Sequence, residues 1–229
     1  MRRLNEELER FAYLASHDLK EPLRTIFSLA ERLGIKHGEK LGDNGMRYVD
    51  MIITASHQMQ TLTDDLLTYS QLGHTVEKYE KINLNKLLNQ IKANLKSSIT
   101  KNKVKIEFKR LPFIYGDSTQ IGLLMQNLIS NSIKYRKKTS PLIQISCVTK
   151  NNFWEVAVKD NGIGIEKENF VKIFEVFKRL HGKNEYEGTG IGLSNCKRIV
   201  ENHKGEIWVK SSPRRGSTFY FTIPKRKNK

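Results

Sequence analysis

Apolar residues recur at the period of a helix along residues 1 to about 72. Leu4, Leu8, Phe11, Ala15, Leu19, Pro22, Ile26, Leu29 and Leu33 form one stripe, with steps averaging about 3.6 residues. Gly38, Gly42 and Gly45 interrupt it within His37–Gly45, the punctuation of a turn. A second stripe follows at Val49, Ile52, Ser56, Met59, Leu62, Leu66 and Tyr69, and ends near Gly73. The pattern predicts helix, turn, helix. Two long amphipathic helices in a hairpin cannot cover both stripes between them, whereas two copies joined as a four-helix bundle can. A homodimer through the hairpin is therefore expected. The first stripe already runs at Leu4 with no capping signal before it, which predicts a longer helix and a further domain upstream.

From about residue 76 the period changes. Short alternating runs at Val104–Phe108, Leu142–Val148, Phe153–Val158, Ile207–Lys210 and Thr218–Ile223 read as strands. Helical stretches lie between them at about 84–99, 118–137 and 189–203. An α/β sandwich with several antiparallel pairs is expected, joined to the hairpin by a polar linker at Gly73–Asn83. The fold class is α+β, with an all-α hairpin at 1–75 and the sandwich at 76–229.

Composition narrows the picture only slightly. With 38% hydrophobic residues the chain can build a core, which excludes wholesale disorder. No apolar run reaches the roughly 18–20 residues of a membrane helix, and no signal-peptide core is present. Cys147 and Cys196 are too few for a disulfide scaffold or a four-thiolate zinc site. They read as packing residues in a reducing compartment, and a cytoplasmic location is expected. The net charge of +16 invites a nucleic-acid partner. The basic residues are nevertheless scattered among Asp and Glu, and the one tight run, Lys225–Lys229, reads as a solvated end. No specific nucleic acid is expected. His57, His74, His181 and His203 have no ligand-like spacing, so no metal is assigned to them.

Four short motifs carry chemistry. Ser16-His17-Asp18-Leu19-Lys20-Glu21-Pro22 sits midway along the first helix. His17 is two residues from both Ala15 and Leu19, which turns it about 160–200° from the stripe and toward solvent. Asp18 beside it can hold or accept an imidazole proton. Pro22 removes the N–H that would bond the Asp18 carbonyl and loosens the helix there. In Gln126-Asn127-Leu128-Ile129-Ser130-Asn131-Ser132-Ile133-Lys134-Tyr135, helical spacing sets Asn127, Asn131 and Lys134 on one face. An amide oxygen there suits a hard cation such as Mg²⁺, although a solvated polar face has the same pattern. Asp160-Asn161-Gly162-Ile163-Gly164-Ile165 delivers a carboxylate at a strand end, followed by glycines that let a ligand approach the backbone. A plain turn reads the same way. Gly188-Thr189-Gly190-Ile191-Gly192-Leu193-Ser194 opens a helix with backbone N–H groups free for an anion. It fits neither the dinucleotide fingerprint, because Leu193 stands where the last glycine belongs, nor the Walker pattern.

In this order the motifs resemble the H, N, G1 and G2 boxes of bacterial-type sensor histidine kinases. Ile173-Phe174-Glu175-Val176-Phe177-Lys178-Arg179 resembles the F box, and Gly216-Ser217-Thr218-Phe219 the last glycine-containing strand. The likeness covers nearly the whole chain, and Ala15–Arg24 is similar to the phytochrome-like subgroup. It implies a dimerisation and histidine-phosphotransfer domain followed by a Bergerat-type ATP-binding domain like that of gyrase. The implied function is an ATP-dependent protein-histidine kinase that phosphorylates His17 from Mg-ATP and passes the phosphoryl group to an aspartate of a response regulator receiver domain. An upstream sensor domain is implied as well.

The resemblance assigns His17 as phosphoacceptor and Asp18 as its acid/base neighbour. Asn131 is the implied Mg²⁺ ligand, while Asn127, Lys134 and Tyr135 line the phosphate and adenine side. Asp160 accepts from the adenine amino group, with Gly162, Gly164 and Ile165 close by. Gly188, Thr189, Gly190, Ile191, Gly192 and Leu193 flank the phosphates and hinge a lid of about 166–187, whose Arg179 and Lys183 contact phosphate. Thr218 hydrogen-bonds near the adenine. One position departs from the pattern. Many relatives carry Thr or Asn four residues after the histidine to orient water for dephosphorylating the regulator, and here it is Glu21. A carboxylate there repels an acidic phosphoaspartate site, so weak phosphatase activity is expected.

Overall fold

The computed structural model describes residues 2–72, 79–137, 139–180 and 188–225, with side chains from Asp18 onward. The chain forms two compact units, a helical hairpin and an α/β sandwich.

In the hairpin, α1 runs from Arg2 to Gln71 with a single non-helical residue, Gly42, at its kink. The expected turn of nine residues is thus a break at one glycine, whose φ of 60° interrupts the helical hydrogen-bond ladder. Burial follows a narrower pattern than the expected stripes. Leu23 and Ala30 are buried on the first arm, and Val49, Ser56, Thr63 and Ser70 on the second. These sets repeat every seven residues, the period of helices that pair along a seam. Leu19, Ile26, Leu29, Leu33, Ile52, Met59 and Leu62 are exposed on the single chain. The stripes therefore divide into a thin intrachain seam and a broad apolar flank.

The sandwich contains a two-stranded and a five-stranded sheet. Antiparallel β1 (Glu80–Asn83) and β3 (Phe113–Gly116) pair with Ile82 opposite Ile114. The larger sheet has the order β2 (Lys105–Phe108), β4 (Leu142–Lys150), β5 (Phe153–Asp160), β7 (Gly216–Pro224), β6 (Ile207–Ser212). Its pairs are antiparallel except β2 with β4, which is parallel. Strand β1 corrects the reading of Gly73–Asn83 as all linker, since Glu80–Asn83 is paired. Residues 73–78 lie outside the described residues.

Side-chain caps start two helices. The Asn83 amide oxygen accepts from the Lys86 N–H to begin α2 (Leu84–Asn94). The Asp117 carboxylate accepts from the Thr119 and Gln120 N–H groups to begin α4 (Ser118–Lys134). Both satisfy N–H groups that a helix start leaves orphaned. The predicted helix over 84–99 is two, because α3 (Lys96–Lys101) restarts after Leu95. Helix α5 (Gly192–Asn202) begins three residues later than predicted. Alternation on β5 and β7 sends Val156, Val158, Phe219, Phe221 and Ile223 into the core. There they meet Leu124, Leu128 and Ile129 of α4 and Ile199 and Val200 of α5, all buried.

Candidate nucleotide-binding site

The sandwich carries a cavity where the end of β5, α4 and the segment after β5 converge. It is lined by Asn131, Tyr135, Asp160, Ile163, Gly164, Ile165, Ile173, Lys178, Arg179, Leu180, Leu193, Ser217 and Phe219. Alternation along β5 turns Asp160 inward with Val156 and Val158, so a carboxylate ends a run of core residues. Its Oδ1 accepts from the Gly162 N–H at 2.8 Å and the Ser217 N–H at 3.1 Å. Burial pushes its carboxyl above the usual range, and those two backbone donors work in the opposite direction. A buried carboxylate held by two amides is a fixed acceptor facing an apolar slot.

The loop after Asp160 is pinned on both sides. The Ile163 N–H donates to the Tyr135 carbonyl at 3.0 Å, and the Arg214 N–H donates to the Ile163 carbonyl at 2.6 Å. The Ile165 N–H donates to the Ser211 hydroxyl at 2.8 Å. Gly164, with φ of 78°, passes so close to β6 that a Cβ would lie 2.0 Å from the Ser212 carbonyl oxygen. Backbone conformation and the close approach both demand glycine there. The slot thus has a rigid floor.

The structure distributes the expected residues unevenly. Asn131, Tyr135, Asp160, Gly164, Ile165, Arg179 and Leu193 line the cavity. Gly162 donates to Asp160 from behind. Asn127, one turn before Asn131, donates its amide to the Gly192 carbonyl at 3.3 Å and ties α4 to the start of α5. The Lys134 ammonium lies 4.6 Å from the centroid of the Tyr135 ring. Gly188, Thr189, Gly190 and Ile191 group with the hairpin unit, where the Thr189 hydroxyl hydrogen-bonds the Asp65 carboxylate. The Ile191 N–H caps back onto Thr189 Oγ1 at 3.3 Å.

Thr218 does not line the cavity; its neighbours Ser217 and Phe219 do. Strand alternation is the reason, because Ser217 and Phe219 are buried while Thr218 pairs between Lys159 and Lys210. The period of two along Thr218–Ile223 carries that signal. Sequence reasoning does not assign Ile163, Ile173, Lys178, Leu180, Ser217 or Phe219 to the site; Ile173 is a buried apolar residue in a one-turn 3₁₀ helix, with no periodicity to mark it. The side chain of His17 and all of Lys183 lie outside the described residues, and Asp18 is exposed on α1. Burial pushes the Cys147 thiol up to about 11 and the Cys196 thiol up to about 12, so both are protonated packing groups at neutral pH. No described helix is long and apolar enough to cross a membrane.

Comparison with known proteins places both units. Residues 7–75 match the family profile described as the His Kinase A (phospho-acceptor) domain. Residues 116–227 match that of the histidine kinase-, DNA gyrase B- and HSP90-like ATPase. The chain is 40% identical over 224 residues to phytochrome-like protein Cph1 of Synechocystis sp., covering 98% of this chain and 30% of that protein. It is 42% identical over 229 residues to cyanobacterial phytochrome B of Nostoc sp., covering 97% and 30%. The chain therefore spans under a third of the length of these relatives. Among solved structures, the nucleotide-free catalytic domain of histidine kinase ThkA is 29% identical with a TM-score of 0.56, covering 65% of this chain and 98% of that one. ThkA in complex with response regulator protein TrrA aligns over 97% of this chain and 64% of that one, with a TM-score of 0.66 at 21% identity. That last match is one of fold.

Proposed function

Because the chain belongs to the histidine kinases, joining a His Kinase A domain to the kinase-type ATPase domain, we propose that it phosphorylates its own His17 from Mg-ATP. The observation that carries this reading is the slot built around Asp160. Its fixed carboxylate accepts a hydrogen bond from the adenine amino group while Ile163, Ile165, Ile173 and Phe219 cover the ring. Lys178 and Arg179, on the same rim, offset triphosphate charge. Phosphoryl transfer asks for this positioning and charge stabilisation more than for covalent help.

The donor set fits magnesium that arrives with the nucleotide. Among the described residues no three His, Cys, Asp or Glu cluster into a metal site, while Asn131, whose side chain carries one amide oxygen, lines the cavity. Magnesium keeps several waters and takes few protein ligands beside phosphate oxygens, so Asn131 would hold it. When bound, the ion neutralises phosphate charge.

In the reaction, a lone pair of the His17 imidazole attacks the γ-phosphorus. The bond to the ADP oxygen breaks, and Asp18 takes the imidazole proton. The phosphoryl group then passes to a receiver-domain aspartate of a response regulator. The exposed apolar flank of the hairpin supports pairing with a second copy as a four-helix bundle. Glu21 supports weak phosphatase activity toward the regulator; strong activity that Glu21→Ala abolishes would overturn that part.

Incubation with γ-labelled ATP and Mg²⁺ tests the main reading. Acid-labile, base-stable label is expected on the wild type and on neither His17→Gln nor Asn131→Ala. Label that persists on His17→Gln would move the acceptor elsewhere, and nucleotide binding with no label would leave a scaffold rather than a kinase.

A further inference from the structure

His203 is 1% exposed, and the phosphotransfer reading gives it no task. Both ring nitrogens are engaged. Nδ1 lies 2.7 Å from the Ile199 carbonyl oxygen, which can only accept, so Nδ1 carries the proton. Nε2 then has the lone pair, and it accepts from the Asp117 N–H at 3.0 Å. These partners fix one neutral tautomer, and burial lowers the imidazole's proton affinity further. The approach is close: a Cβ on Gly116 would lie 2.9 Å from both Cδ2 and Nε2. Tyr79 closes the outer side, its ring edge-on at 5.5 Å.

The partner is what matters. Asp117 is the N-cap of α4, and its carboxylate holds the first-turn N–H groups of Thr119 and Gln120. His203 therefore holds the residue that holds the helix. Helices α4 and α5 are also tied at the other end of α5, where Asn127 donates to the Gly192 carbonyl. Between these ties lie buried side chains such as Leu124, Leu128, Cys196 and Ile199, with two longer hydrogen bonds, from Cys196 Sγ to the Leu124 carbonyl at 3.9 Å and from Asn202 Nδ2 to Gln120 Oε1 at 3.5 Å. Apolar packing is non-directional; the hydrogen-bonded ties are directional and oppose a slide along the helix axis, the His203 bond to the Asp117 N–H at 3.0 Å being the shortest of them. Asn131 and Tyr135 sit at the far end of α4 and Leu193 at the start of α5, all on the cavity wall.

We propose that His203, through the Asp117 N–H, is a positioning residue that sets where α4 presents Asn131 and Tyr135 to the nucleotide. The proposal rests on the reading of the cavity as a nucleotide site, and two independent readouts separate them. The first needs no nucleotide. Amide resonances of Asn131 to Tyr135 are compared in the wild type, His203→Leu, His203→Gln and Gly116→Ala. Gln places an acceptor at the level of Nε2 and can keep the Asp117 bond, whereas Leu cannot. Gly116→Ala pushes on the imidazole at Cδ2 and Nε2 and keeps the test alive if Leu prevents folding.

The expected result is displaced Asn131–Tyr135 resonances in the Leu and Ala variants and near-wild-type positions with Gln. The second readout is Mg-AMPPNP affinity, measured well below each variant's melting temperature. It should fall roughly tenfold for Leu and Ala and recover with Gln. Unmoved resonances in a folded Leu variant, or Gln as displaced as Leu, would overturn the positioning role. Moved resonances without any change in nucleotide affinity would instead overturn the reading of the cavity.

Discussion

The two units bury their apolar residues in opposite ways. In the sandwich, Ile114, Ile121, Leu124, Leu128, Val156, Val158 and Phe221 are fully enclosed by their own chain. In the hairpin, the seam is a thin row that includes Ser56, Thr63 and Ser70, while Leu29 stays 60% exposed and Met51 59%. One unit encloses its apolar residues and the other leaves a flank of them open. A seam rich in hydroxyls contributes less hydrophobic stabilisation than an apolar one, so the proposed pairing with a second copy would add what the seam lacks. The proposed function follows the same division: a nucleotide slot would need rigid walls, and an accepting histidine would need to be reached.

The sharpest way to break the comparison is to truncate the same residue type in both units. Leu124→Ala opens a cavity in an enclosed core and should cost about 4 kcal/mol, whatever the protein concentration. Leu29→Ala removes an exposed side chain and should act only through dimerisation. Its melting temperature should drop at low concentration and recover as concentration rises. Both tryptophans, Trp154 and Trp208, lie in the sandwich, so fluorescence follows that unit while far-ultraviolet circular dichroism adds the hairpin. A loss on Leu29→Ala that ignores concentration would show the hairpin to be complete alone.

Glycines give a second matched pair. Gly42 at the hairpin kink has φ of 60° and no atom within 4 Å of where a Cβ would stand, whereas Gly164 has φ of 78° and a carbonyl oxygen at 2.0 Å. Alanine at 42 has room, but at φ 60° and ψ −177° it enters a region that is essentially glycine's alone, which costs about 2 kcal/mol. Alanine at 164 adds a clash with β6 and should cost about 3 kcal/mol. It should also weaken nucleotide binding, because Ile163 and Ile165 line the slot. Urea titration of each variant beside an AMPPNP isotherm measures both effects; equal losses would mean the floor of the slot yields.

Much of this is legible in the sequence because it is local. Period two exposes β4, β5 and β7, period 3.6 exposes α4, and a carboxylate placed at a strand end before glycines marks Asp160. What escapes depends on partners distant in sequence. Strands β1 and β3 are four residues each and bury only Ile82, Ile114 and Gly116, too little pattern to register. The seven-residue seam hides inside a broader apolar stripe, since Ile52 and Val49 look alike until a second helix chooses between them. Thr218 is one residue away from the cavity face on its strand, and a step of one changes the face. His203 has no ligand-like spacing, and its role emerges only when α5 returns beside the Asp117 cap.

Acidity offers a smaller test, because two buried groups of the sandwich pull in opposite directions. His203 is held neutral, with its proton affinity below the ordinary 6.5. As pH falls below 6.5 the unfolded chain takes up that proton before the folded one does, so stability is lost. Asp160 is raised above its ordinary 3.8, so as pH falls the folded state takes up its proton first and stability is gained. His203→Gln should flatten the loss below pH 6.5, and Asp160→Asn should remove the opposing gain at lower pH. Nucleotide affinity has its own sign, since a protonated Asp160 no longer offers the adenine amino group an ionised acceptor. Affinity should therefore decline in acid before an ordinary aspartate would titrate, and a flat isotherm series down to pH 4 would remove Asp160 from the contact.

The smallest effect is expected where the hairpin looks most strongly bonded. Lys20 Nζ lies 2.6 Å from Asp64 Oδ1 across the two arms, with both side chains half exposed. Water screens such a pair, and ordering two long side chains offsets most of the attraction. Lys20→Met should change stability by about 0.5 kcal/mol or less, and 0.5 M salt should erase the difference. Thermal melts of the two proteins at low and high salt measure it. A loss several times larger that survives salt would mean that the arms are held by directed polar contacts. The hairpin would then resemble the sandwich, whose Asp160 is fixed by buried amide donors, and its apolar flank would no longer be needed to explain how it holds together.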